Sequence, residues 1–150
     1  MYQEKQYFRQ LWVWAILAFA MTVTLIQSIS ANQYTGVYIM VGVIILFAVL
    51  RLEIRINEEG IAYRWVPFMI TYRQMHWNEI ESMRVRKYAP LSEFGGWGIR
   101  WSLQGTAHTV SGYDGLEIWV KNKKRFILLG TQHPEELTEL IKVNQSKITV

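Results

Sequence analysis

The sequence predicts two membrane-spanning α-helices in a helical hairpin, followed by one α+β domain. That domain is a bent antiparallel sheet or partial barrel of six to seven strands, capped by a C-terminal helix. Three observations lead there. No Asp, Glu, Lys, Arg or His occurs from Leu11 to Leu50, a run of forty residues. From Leu52 onward apolar residues recur at every second position in short runs broken by turn residues. After Pro134 the apolar period lengthens to that of a helix.

A chain of 150 residues has room for one ordinary domain and a short appendage. With no cysteine, disulfides, thiol chemistry and thiolate metal sites are excluded. The net charge is +4, but residues 52–150 hold 13 Lys and Arg against 11 Asp and Glu. That balance speaks against nucleic acid, which asks for a wide basic face.

The uncharged run divides at the polar stretch Ser30–Gly36. Residues 11–29 are apolar on every side and long enough, at about 1.5 Å per residue, to cross a hydrocarbon core of about 30 Å. Residues 37–50 are unbroken apolar sequence, and flanking residues extend them to a second span over 34–51. Tyr7, Phe8, Trp12 and Trp14 mark one interface; Tyr34 and Tyr38 mark the loop end. Lys5 and Arg9 precede the first span, Arg51 and Arg55 follow the second, and the loop between has no basic residue. The expectation is a multi-pass protein of the cell membrane with both termini cytoplasmic. Residues 1–51 form the anchor and 52–150 the cytoplasmic domain.

Within that domain, Leu52, Ile54 and Ile56 alternate with Glu53, Arg55 and Asn57. Glu58-Glu59-Gly60 then turns the chain into Ile61, Tyr63 and Trp65, a hairpin with one buried face. Residues 68–73 read as a third strand and residues 80–88 as a fourth, with Met83 and Val85 inward and Arg84 and Arg86 outward. A glycine-rich loop over 89–98 leads to the alternation of Ile99, Trp101 and Leu103. The runs 116–121 and 125–129 form another hairpin around Asn122-Lys123-Lys124. Pro134, Glu135 and Glu136 open the final helix, whose apolar stripe is Leu137, Leu140 and Ile141.

This succession, with Phe94–Trp101 (FGGWGIRW), Ser111-Gly112 before Gly115–Ile118, and Gly130–Leu137 (GTQHPEEL), resembles the membrane-anchored bacterial proteins with a pleckstrin-homology-like (PH-like) domain. The resemblance covers residues 52 to about 143 and, with the preceding helices, most of the chain. It implies a non-enzymatic module whose role is poorly defined.

No catalytic or metal-binding motif stands out. His76, His108 and His133 lie far apart, and Gly95-Gly96-Trp97-Gly98 lacks the Gly-Lys-Ser/Thr ending of a phosphate loop. No enzyme, cofactor, metal or small-molecule substrate is expected. Two segments are candidate binding surfaces. Phe94, Trp97 and Arg100 offer an aromatic and cationic docking surface in the glycine loop, where the plainer reading is a tight connection with Trp97 capping the sheet edge. Lys121, Lys123, Lys124 and Arg125 crowd one hairpin turn, fit for an anionic leaflet or equally for plain solvation. The function expected is a docking module for lipid headgroups or a membrane protein partner. The alternative is a structural subunit of a homo-oligomer or larger membrane complex.

Overall fold

The computed structural model describes residues 1–147. They fall into two compact units: Met1–Gln6 joined with the chain from Arg51 onward, and Tyr7–Leu50.

The first unit is built from two sheets. Strands β1 (Tyr2–Tyr7), β2 (Arg51–Ile56), β3 (Gly60–Val66) and β4 (Arg73–His76) form one, in that order. Strands β5 (Ile80–Lys87), β6 (Gly98–Trp101), β7 (Gly105–Thr109), β8 (Asp114–Val120) and β9 (Phe126–Gly130) form the other, in the order β5-β8-β9-β7-β6. The hairpin of β2 and β3 has the register its alternation demands, Leu52 opposite Trp65 and Ile56 opposite Ile61. Its turn is held by the Asn57 carboxamide oxygen, which accepts from the Glu59 and Gly60 amides. Glycine is required at position 60: φ is +155°, and a Cβ there would sit 2.0 Å from the Met75 carbonyl oxygen of β4.

Strand β9 is buried along its whole length because it lies between β8, antiparallel, and β7, parallel. Residues paired across strands share a face, so Leu116, Ile118, Ile127, Leu129 and His108 lie together. This face meets the first sheet: the Trp65 indole N–H donates to His108 Nδ1 at 3.0 Å, and the Tyr63 ring centroid is 4.7 Å from that of His108. On the opposite face Phe126, Leu128 and Ala107 pack against Tyr88 and Phe94. Phe94 comes from the short helix α3 (Pro90–Phe94), which starts at proline and stops at Gly95 in the left-handed conformation.

Three buried carboxylates gather polar networks. Strand β1 buries Tyr2, Glu4 and Gln6 on one side. The Glu4 carboxylate accepts from the Tyr2 and Thr131 hydroxyls, the Gln6 amide and the Gln132 backbone N–H. Glu53, expected to face water, is buried and accepts from Arg51, Arg64 and Tyr72. Glu117 is likewise buried beneath Arg84 and Arg86. Helix α4 (Pro134–Asn144) begins as its proline and two carboxylates predict, and buries Leu137.

The second unit holds two apolar helices, here αA (Leu11–Ala31) and αB (Thr35–Val49). Helix αA ends where Asn32 takes the left-handed conformation. It is long and apolar enough to cross a membrane, by length and composition.

These observations correct the expected fold class. A helical hairpin of two spans followed by a PH-like domain of six to seven strands is not what forms. Among the described residues only αA reaches spanning length. Helix αB has 15 residues, which at about 1.5 Å each fall short of a hydrocarbon core of about 30 Å. The residues counted into it at the C-terminal side are extended: Leu50 has ψ 121° and Arg51 already begins β2. Among the described residues the strands number nine, in sheets of four and five. The third strand is displaced to 73–76, and β1 and β7 join because side-chain hydrogen bonds and neighbouring strands stabilise segments with little apolar pattern.

Candidate docking site

The first unit carries an open groove of about 550 Å³. It lies where β4 and β6, the end strands of the two sheets, both contribute. Its wall is apolar, formed by Met69, Ile99, Trp101, Phe126 and Ile127. Its floor holds Tyr63, Thr106 and His108. Among the described residues four cations, Arg73, Lys123, Lys124 and Arg125, line it, and no carboxylate does.

Local sequence explains each contribution. Tyr63 points inward because β3 alternates, and Ile61 and Trp65 bury the same face. The β8–β9 turn places Asn122 at φ +63°, a conformation asparagine tolerates, so that Lys123, Lys124 and Arg125 stand exposed. Strand β6 ends its sheet and pairs with β7 alone among the described strands, and Trp101 is left 74% exposed. Leu103 in the β6–β7 turn is 92% exposed, and Ile70, beside the groove residue Met69, is 89% exposed.

The four groove cations differ from four other arginines of the unit. Arg51, Arg64, Arg84 and Arg86 are paired with Glu53, Glu117 or Glu93. Among the described residues Arg73, Lys123, Lys124 and Arg125 form no ion pair. Burial, with the nearby Arg73 charge, pushes the His108 pKa down to about 4, so its imidazole is neutral at pH 7. Burial pushes the Tyr63 hydroxyl up, and the Arg73 charge opposes this. Arg73 is near that hydroxyl, yet the hydroxyl has no hydrogen-bond partner of regular geometry.

The residues singled out in the sequence separate. Lys123, Lys124 and Arg125 come together at the groove. Lys121 is exposed on the same turn without lining it. Phe94 is buried in the second sheet's outer core. Trp97 is half-buried, donates its indole N–H to the Gly112 carbonyl at 3.0 Å and packs on Tyr113. Arg100 is exposed and donates to the Trp97 carbonyl. Tyr63, Arg73, Trp101 and His108 were not singled out. Tyr63 carried one sequence signal, a hydroxyl on the inward face of a strand. The others carried none that a linear reading weighs.

No family model, no curated protein and no solved structure matches this chain, so the comparisons name neither a PH-like domain nor a bacterial origin.

Proposed function

We propose that this chain is a non-enzymatic membrane protein whose strand-bearing unit docks on an anionic lipid surface through the groove and its flanking loops. One observation carries the reading: four cations without carboxylate partners ring an apolar groove beside exposed Ile70, Trp101 and Leu103. Apolar tips enter the acyl boundary while basic residues meet anionic headgroups, each cation contributing about 1 kcal/mol. The apolar segment keeps the surface near: Arg51 follows Leu50 directly, and only residues 7–10 separate Gln6 from αA.

The strand-bearing unit lies on the cytoplasmic side. Strands β1 and β2 flank the apolar segment in the chain and are neighbours in one sheet, so residues 7–50 leave and return to the same unit. Lys5, Arg9, Arg51 and Arg55 flank that segment, where basic residues mark the cytoplasmic side.

The docking reading is tested with a single cysteine, which the cysteine-free chain permits. Leu103→Cys is labelled with an environment-sensitive fluorophore, and the full chain is reconstituted in vesicles. The emission shifts to the blue when phosphatidylglycerol replaces part of the phosphatidylcholine, and the shift is lost in K123E/K124E/R125E. Equal emission in neutral and anionic vesicles refutes docking.

A further inference from the structure

The groove floor carries a polar set that surface docking does not use. Tyr63 is fully buried, yet its hydroxyl has no hydrogen-bond partner of regular geometry among the described residues, with Arg73 beside it. His108 accepts from the Trp65 indole at Nδ1, so its ring proton is on Nε2. Arg73 acts electrostatically on both, and it has no carboxylate partner among the described residues. Buried hydroxyls are ordinarily paired, so an orphan lining an open groove marks a place where a ligand supplies the acceptor.

We propose that the groove binds a single-chain carboxylate amphiphile, a fatty acid, with its carboxylate at Arg73, Tyr63 and His108 and its chain along Met69, Ile99 and Trp101. This rests on the docking reading, because docking brings the groove to the bilayer that supplies such a chain. Charge count selects carboxylate over phosphate. The floor offers one full positive charge, Arg73, since His108 is neutral at pH 7, and two neutral donors beside it. One guanidinium balances one carboxylate. A phosphate monoester, close to dianionic, is under-compensated there and is better met by the lysines of the turn. The groove volume of about 550 Å³ lies within the span of small-molecule sites.

The test uses the full chain in nonionic detergent and four soluble probes: octanoate, octan-1-ol, octyl phosphate and acetate. Octanoate raises the unfolding midpoint in a saturable way and more than any of the other three. Tyr63→Phe keeps the ring and removes only the orphan hydroxyl, so without ligand it is at least as stable as the wild type. Its octanoate affinity falls about tenfold, the loss of one hydrogen bond to a charged group. A purely structural hydroxyl gives the reverse, lower stability and unchanged affinity, and overturns the proposal. So does octan-1-ol or acetate matching octanoate, or octyl phosphate exceeding it. The Leu103→Cys emission is read in the same Tyr63→Phe chain. Docking that persists while octanoate fails to bind removes this inference and leaves the docking reading standing; loss of docking in the parent removes both.

Discussion

Replacing Glu53 by glutamine tests the buried ion cluster that covers the outer face of the β2–β3 hairpin. Glu53 is buried, which pushes its carboxyl up, but hydrogen bonds from Tyr72, Arg64 and Arg51 outweigh that and hold its pKa at about 2 against an ordinary 4.5. Each tenfold in proton affinity is worth about 1.4 kcal/mol, so the ionised carboxylate contributes roughly 3 kcal/mol at pH 7. Arg51 and Arg64 are 31% and 25% exposed, and solvent screening lowers the expected figure to about 2–3 kcal/mol. The folded pKa is depressed, so this stability is present in full above pH 4.5 and is lost as pH falls towards 2. Glu53→Gln removes it at every pH. Denaturant unfolding of the full chain in nonionic detergent, followed by tryptophan fluorescence, measures the gap between the two proteins. The gap is about 2–3 kcal/mol at pH 7 and closes through the window from 4.5 to 2. Other carboxylates titrate in both proteins and cancel in the difference. A gap that keeps its neutral-pH size down to about pH 2 refutes the assignment of this stability to an ionised, buried Glu53.

Gly60→Ala forces a Cβ against the Met75 carbonyl at a backbone angle that side chains rarely adopt, and the same unfolding assay registers a loss of about 2–4 kcal/mol. Cysteines placed singly at Gln3 and at Lys121, both exposed, are labelled by an impermeant maleimide from the same side of sealed vesicles. Labelling from opposite sides overturns the shared location of the two chain regions.

Much of the local structure was legible. Helix αA shows itself as uncharged sequence of sufficient length, the β2–β3 hairpin as period-two alternation around turn residues, and the β8–β9 hairpin as two runs flanking Asn122-Lys123-Lys124. Helix α4 announces itself through Pro134 and two carboxylates. The misses share a cause. Strand β1 buries Glu4 and Gln6, and β7 buries His108 and Thr109, so neither has an apolar stripe to read; partners distant in sequence bond the Glu4 carboxylate, the Gln6 amide N–H and the His108 ring. Helix αB is shorter than the span expected over 34–51 because Leu50 is extended and Arg51 is recruited by pairing with Val66.

The candidate site divides the same way. A crowd of basic residues at one turn is a property of neighbours in sequence, so Lys123, Lys124 and Arg125 stood out without a structure. Whether a cation has a carboxylate partner depends on residues many positions away: Arg86 finds Glu117, while Arg73 finds none among the described residues. Sequence by itself determined which segment avoids water and where most turns fall, because burial preference and turn chemistry act over a few residues. Tertiary structure alone decided that β1 and β2 share a sheet and that Tyr63, Arg73 and His108 meet in one groove. Such meetings are settled by strand pairing across the whole chain, which no local pattern encodes.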